Sequence, residues 1–282
     1  MTIEEALRNA AEKLRAAELS DPRREASVLI AHVLGGDREI IFREPEKILT
    51  EKELDRFVGF VDRRCKREPA SHILGKREFW SRDFFVSKHV LDPRPDSETL
   101  IEAVLNFANN ETCPRKILDL GTGSGCLLLT LIKELGDATG VGVDFSGDAL
   151  TVAEKNAQAL DVNERVAFVR SRWFDNVEGR FDLIISNPPY IEQDAIEQLQ
   201  PEVRDYEPRL ALDGGVDGLD CYRDIISQAS GFLTKQGFVI FEVGAGQADD
   251  VELLLRSNNF EDIRQYSDLA GIKRCVSGVA GK

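Results

Sequence analysis

Two hydrophobic rhythms divide the chain. Over residues 1–70 apolar positions recur in steps of three and four, the spacing of helices with one buried face. Thr2 and Glu5 form a T-x-x-E capping box ahead of Ile3, Ala6, Leu7, Ala10 and Leu14. Asp21-Pro22 opens a second helix, with Ala26, Leu29, Ile30, Val33 and Leu34 on one face and Gly35-Gly36 as its stop. Thr50 and Glu53 make another capping box before Leu54, Phe57, Val58 and Val61. Arg63, Arg64, Lys66 and Arg67 fall near the end of that helix, where positive charge suits the dipole. The cluster reads as a solvated helix end, with RNA contact as the other reading.

The rhythm changes at residues 75–92. Glu78-Phe79-Trp80 and Phe84-Phe85-Val86 flank Ser81-Arg82-Asp83 and predict a short hairpin. Pro93 and Pro95 mark a linker, after which Asp96 or Ser97 is expected to cap a helix through Phe107. From residue 115 short apolar runs alternate with helical segments. Strands are expected near 116–120, 139–143, 165–170, 181–186, 238–243, 262–266 and 273–278, and helices near 125–135, 147–160, 221–234 and 247–257. Such alternation implies an α/β fold, a mostly parallel sheet with helices on both faces. The last two strands have no helix-length segment between them, so an antiparallel last strand is expected.

The bulk numbers narrow the class. Five cysteines (Cys65, Cys113, Cys126, Cys221, Cys275) are odd in number and form no CxxC pair. They imply neither a disulfide framework nor a zinc site and fit a reducing, cytoplasmic setting. The first residues, Met1-Thr2-Ile3-Glu4-Glu5, are too polar for a signal peptide, and no apolar run approaches the roughly 20 residues that span a bilayer. The formal charge is -14, of which residues 1–70 carry about -1 and the remainder -13. An acidic second half suits solubility and a basic partner, and is a poor match for duplex DNA.

The strand Phe181–Ser186 runs straight into Asn187-Pro188-Pro189-Tyr190. Two prolines fix their own φ and donate nothing, and the residue before a proline is pushed out of the helical region. The turn is therefore stiff and presents bare acceptors. An Asn side-chain oxygen beside a rigid carbonyl suits an NH2 group held for chemistry on its nitrogen. Amide and aromatic amino nitrogens are weak nucleophiles. Hydrogen bonds to Asn187 and to the Pro188 carbonyl would aim such a nitrogen and stabilise its developing positive charge. Tyr190 could lie against a flat amide or base.

Upstream, Lys116-Ile117-Leu118-Asp119-Leu120 leads into Gly121-Thr122-Gly123-Ser124-Gly125-Cys126. This is strand, glycine-rich turn and helix. Its G-x-G-x-G spacing lacks the third glycine of a dinucleotide fingerprint, which favours S-adenosylmethionine over NAD. Asp144 ends the next strand, about twenty residues on, where an acidic group accepts from ribose hydroxyls; capping the helix near Asp148 is its other reading. Asp119 could orient the loop or face the amino group of a methionine moiety.

These residues resemble motifs of amino-directed, S-adenosylmethionine-dependent methyltransferases. More of the chain resembles the peptide-release-factor glutamine methyltransferases, the PrmC/HemK family. The matching stretches include Pro93-Arg94-Pro95-Asp96-Ser97-Glu98, Asn156-Ala157-Gln158, Trp173-Phe174, Tyr206-Glu207-Pro208, Glu242-Val243-Gly244 with Gln247, and Asp268-Leu269-Ala270-Gly271 with Arg274. Asp92 stands where the family commonly has an apolar residue, and Arg172 where an acid often precedes the aromatic pair.

The resemblance implies methylation of the Gln side-chain amide in the Gly-Gly-Gln loop of class I release factors. It implies a Rossmann-like fold in three parts: a helical substrate-recognition domain (1–72), a β-hairpin linker (73–95) and a methyltransferase domain (96–282). Asp119, Gly121, Thr122, Gly123, Gly125, Asp144, Trp173 and Asn187 would take S-adenosylmethionine and release S-adenosylhomocysteine, with no metal. Asn187, Pro188, Pro189 and Tyr190 would hold the substrate amide, with Asn187, Pro188 and Tyr190 as the catalytic set. Release factors are the expected partners, with no duplex DNA and no membrane. The alternative is a DNA or RNA adenine methyltransferase using the same turn, which the acidic second half and the lack of a base-reading insertion disfavour. A binding protein that kept the fold without the chemistry is a further possibility, against which both intact motifs stand.

Overall fold

A computed structural model describes residues 1–36, 39–110 and 113–281. Both expected domain ranges run through 37–38, 111–112 and 282, which lie outside the described residues. The chain forms two compact units. One comprises Met1–Lys76 with Gln200–Tyr206, and the other Arg77–Leu199 with Glu207–Lys282.

The first unit is helical. α1 (Ile3–Ala16) and α4 (Glu51–Cys65) both begin with complete capping boxes. In α1 the Glu5 N–H donates to Thr2 Oγ1 at 3.2 Å and the Thr2 N–H to Glu5 Oε2 at 2.9 Å. α2 (Pro22–Val33) starts on Asp21, which accepts from the Arg24 N–H at 3.3 Å. Two short helices, α3 (Ile40–Arg43) and α5 (Ala70–Leu74), are too brief for periodicity to reveal. Ile3, Leu7, Leu14, Leu29, Ile30 and Phe57 are fully buried together. Each contributes at most about 2–3 kcal/mol of burial.

Arg64 departs from the solvated helix end expected of it. Its side chain is buried and lies 3.0 Å from Glu25 and 3.1 Å from Glu202, while Arg67 pairs with Glu202 at 2.8 Å. A guanidinium tolerates burial when two carboxylates neutralise it. Tyr206 closes the same segment, its hydroxyl donating to the Lys66 carbonyl at 2.6 Å.

In the second unit β1 (Lys76–Phe79) and β2 (Arg82–Phe85) form the hairpin. The turn is Trp80-Ser81, with φ of 51° and 56°, rather than Ser81–Asp83. Positive φ at both positions is the type I′ geometry that matches strand twist. A 3-10 turn (Pro95–Ser97) leads into α6 (Glu98–Asn110). Asp96 pairs with Arg274 at 2.7 Å, and the Ser97 side chain belongs to the site described below.

β3 (Lys116–Leu120), α7 (Cys126–Glu134), β4 (Thr139–Asp144), α8 (Gly147–Ala159), β5 (Val166–Arg170) and β6 (Phe181–Ser186) follow as expected. The chain then gives α9 (Pro201–Arg204) to the first unit and returns for α10 (Asp220–Ala229). β7 (Leu233–Glu242) starts five residues before its expected position, and α10 is correspondingly shorter than expected. Gln236 takes a φ of 70° where the β6–β7 register shifts, an irregularity that breaks the apolar pattern of the strand's first half. α11 (Ala248–Ser257), β8 (Phe260–Ser267) and β9 (Lys273–Ala280) complete the unit.

The sheet order is β5-β4-β3-β6-β7-β9-β8. β9 is antiparallel to both neighbours and the inner strands are parallel. α10 and α11 cover one face of the sheet, α6 and α7 the other. The chain runs from β3 outward through β4 and β5, then crosses back to β6. The switch point lies between β3 and β6, where a ligand crevice is expected beyond the strand ends.

Candidate active site

At that switch point Leu120 of β3 pairs with Ser186 of β6, so Gly121 and Asn187 leave adjacent strand ends side by side. The Ser186 hydroxyl donates to the Leu120 carbonyl at 2.7 Å and ties the ends together. A cavity of about 700 Å³ opens beyond them. Its wall includes Gly121, Thr122, Gly123, Asp144, Trp173, Asn187 and Pro189 among the residues singled out from sequence.

The glycine turn is shaped by its backbone. Gly121 and Gly123 have φ of +75° and +55°, and a Cβ on Gly123 would meet nothing within 4 Å, so that backbone is open to a ligand. Gly121 and Thr122 both donate to the Val143 carbonyl at 2.8 Å. Thr122 Oγ1 donates to Asp119 Oδ2 at 2.6 Å. Asp119 is buried beneath the turn and does not line the cavity; burial pushes its carboxyl up to about 7 against the opposing Thr122 hydrogen bond. Gly125 also lies off the cavity wall. Its φ of +79° opens α7, and a Cβ there would come within 2.9 Å of Leu129.

Asp144 shapes the turn from the next strand. Oδ2 accepts from the Gly123 N–H and Oδ1 from the Ser146 N–H, each at 2.9 Å. Burial raises its pKa against these two bonds. The helix cap belongs to Ser146, whose hydroxyl accepts from the Ala149 N–H. Phe145 beside it is 56% exposed and lines the cavity, an apolar ring that sequence reading passed over. Trp173 reaches over Gly121, 3.8 Å from where a Cβ would stand.

Arg172 turns toward α10 and pairs with Asp224 at 2.9 Å, both on the cavity wall. An acid therefore faces this side of the cavity, from α10 rather than from position 172. Asp92 is buried, with Oδ2 3.8 Å from Arg77 Nε and Oδ1 without a hydrogen-bond partner among the described residues. Its neighbour Glu207 accepts from Arg94 at 2.7 Å on both oxygens, and burial lifts Glu207 to about 7 against that pairing.

Asn187 lies on the cavity wall, whereas Pro188 and Tyr190 do not line the cavity. Tyr190 packs into the sheet core, and burial, then the Glu242 charge, push its hydroxyl up to about 12. Its carbonyl accepts from Gln247 Nε2 at 3.0 Å, which braces the rigid corner from behind. Asn187 Nδ2 points to Ser97 Oγ at 3.5 Å. Buried Glu242 faces the same pair, and its carboxyl is pushed to about 7 by burial against hydrogen bonding from Ser97 and Asn187. Neither Ser97 nor Glu242 carries a sequence signal of such a role; only strand register and the 3-10 turn bring them here.

A strand-end glycine turn, an acid on the next strand and an Asn-Pro-Pro-Tyr corner on one crevice define an α/β methyltransferase. Residues 80–203 match the methyltransferase small domain family and residues 5–75 the PrmC N-terminal domain family. A ribosomal protein L11 methylase structure from Lactobacillus delbrueckii subsp. bulgaricus shares the fold at a TM-score of 0.50 and 23% identity, over 70% of this chain and 84% of that one. The release factor glutamine methyltransferase of Agrobacterium fabrum is 42% identical over 98% of this chain and 96% of its own. That of Geobacter sulfurreducens is 42% identical over 93% of this chain and 91% of its own. The chain belongs to the release factor glutamine methyltransferase family.

Proposed function

We propose that this enzyme methylates the side-chain amide nitrogen of the Gln in the Gly-Gly-Gln loop of class I release factors, using S-adenosylmethionine. The observation that carries this reading is the placement of Asn187 beside Gly121 across the switch point, on the wall of a cavity of nucleoside size. The residues fit the cofactor. The Gly121 turn, the open backbone at Gly123, the Asp144 carboxylate and the rings of Phe145 and Trp173 would hold it. Bound there, S-adenosylmethionine supplies an electrophilic methyl carbon.

Asn187 Oδ1 and the Pro188 carbonyl would accept from the substrate NH2 and fix its direction. Its nitrogen lone pair forms the new N–C bond as the C–S electron pair returns to sulfur. The nitrogen then loses a proton to solvent and leaves as a secondary amide. The two acceptors stabilise the positive charge that develops between these events. The Tyr190 ring would support the corner from its far side. The helical unit would grip the release factor. Among the described residues no helix is long and apolar enough to cross a membrane.

An adenine substrate is not favoured, since the near full-length relatives above are release factor enzymes. The test is incubation with radiolabelled methyl donor and a release factor, beside the same factor with its loop Gln→Ala. Label on the first alone supports the reading; label on both or neither refutes it.

A further inference from the structure

We propose that Glu242 is a positioning residue that locks the Asn187 amide with its oxygen toward the substrate and, when ionised, strengthens that oxygen as an acceptor. The inference rests on the methyl-transfer reading above and assigns it a control element.

The geometry begins with the sheet. Ser186 of β6 pairs with Phe241 of β7, so the next residues, Asn187 and Glu242, leave neighbouring strands side by side. Glu242 is only 2% exposed, and its Oε2 has no hydrogen-bond partner among the described residues. Its backbone is fixed as well, because the Tyr222 hydroxyl donates to the Glu242 carbonyl at 2.8 Å. An isolated carboxylate is costly to bury and is kept where it serves a neighbouring group. The neighbours here are Ser97 and Asn187, which favour the charged form against burial.

A carboxylate only accepts hydrogen bonds, whereas an amide has one accepting and one donating end. The end of Asn187 turned to an ionised Glu242 must therefore be its NH2. The Nδ2 contact to Ser97 Oγ has the same orientation. Oδ1 is left for the substrate. A protonated Glu242 can donate as well as accept, and then either end of the amide can face it. The selection is lost, along with the charge that polarises the amide toward a more negative Oδ1.

The charged and titratable groups facing Glu242 come from every side. They are Asp96 from the 3-10 turn, Arg274 and Cys275 from β9, Tyr190 from the corner, Tyr222 from α10 and Cys126 from α7. Arg274 is the one cation among these and is itself paired with Asp96 and Asp268. Glu242 accordingly changes charge near neutrality, so catalysis at saturating substrates should rise with pH through about 7.

The test compares wild type with Glu242→Gln and Ser97→Ala, measuring S-adenosylmethionine affinity by calorimetry and kcat from pH 5.5 to 9 at saturating cofactor and release factor. Glu242→Gln keeps the shape and one acceptor but loses the charge. It should bind cofactor within about twofold of wild type, lose about tenfold or more in kcat at pH 8, and lose the rise through neutrality. Ser97→Ala should retain the rise with a smaller loss of rate. A Glu242→Gln enzyme with wild-type kcat, or with the wild-type pH profile, would overturn the assignment. Wild type that binds cofactor but labels no release factor would instead overturn the reading on which it rests.

Discussion

Asn156 Nδ2 donates to the Ser124 carbonyl at 2.8 Å and to the Phe85 carbonyl at 3.0 Å, while its Oδ1 accepts from the Phe85 N–H at 2.7 Å. One buried amide on α8 thus pins the hairpin strand β2 to the glycine turn. It serves three backbone groups at once. Asn156→Ala should destabilise the protein by about 3 kcal/mol, as expected when buried backbone groups lose their partners. Urea denaturation measures this, and a loss below about 1 kcal/mol would remove Asn156 from the scaffold of the turn.

Asn187→Ala should separate chemistry from binding. The substituted residue keeps the turn and the two prolines but lacks the acceptor. A loss of kcat on the order of 10²-fold or more is expected, with nearly intact cofactor affinity. Single-turnover transfer and calorimetry read the two effects separately; near-normal turnover would refute the role.

Asp144→Ala should do the reverse. The carboxylate accepts from the Gly123 and Ser146 N–H groups and faces the cavity. Its loss should remove the proposed ribose acceptor and loosen the turn. S-adenosylmethionine affinity should weaken by about tenfold or more, which is about 1.4 kcal/mol. Unchanged affinity in calorimetry would exclude Asp144 from the site.

Stability should depend on pH with an unusual sign. Burial raises Asp119 and Glu242 to about 7, well above the ordinary carboxylate value near 4. Between those values the folded state holds more protons than the unfolded chain, so stability falls as pH rises from about 5 to 7 and levels off above. Carboxylates held low by partners, such as Asp217 at about 2, act in the opposite sense, but only below about pH 4. Denaturant midpoints across pH 5–8 for the cofactor-free protein should show the fall, and Asp119→Asn should make it shallower. A midpoint that climbs over this range would contradict both assignments.

In the helical unit Arg64→Met should leave Glu25 and Glu202 without their shared cation. The carboxylates keep some solvent, and Arg67 still reaches Glu202, so the cost should be about 1–3 kcal/mol rather than the full penalty of a broken buried pair. Hydrogen exchange should quicken in residues 200–206 before the rest of the unit. Uniform exchange across the unit would show that Arg64 does not anchor that segment.

The legible part of the molecule is the part with local causes. Thr2 with Glu5 and Thr50 with Glu53 announce their helices because a capping box needs only four consecutive residues. The turn at Gly121 and the corner at Asn187 are legible because glycine and proline restrict or free their own backbone. Trp80-Ser81 is not, because neither residue favours the positive φ that the hairpin imposes on it. The early start of β7 is hidden by the irregular Gln236-Gly237 step. Arg64 looks like a surface cation until Glu202, far along the chain, reaches it. Glu242 stands out in sequence only as part of the Glu242-Val243-Gly244 stretch, and its meaning lies in the residue on the neighbouring strand.

The segment Gln200–Tyr206 leaves the chain of the sheet unit only thirteen residues after Asn187 and finishes the helical unit. A single protease cut at residue 76 would therefore not yield two self-sufficient halves. The released helices would lack Glu202, and the other half would carry residues 200–206 without the helices they pack against. Any attempt to transplant the helical unit onto another methyltransferase must carry this strap with it.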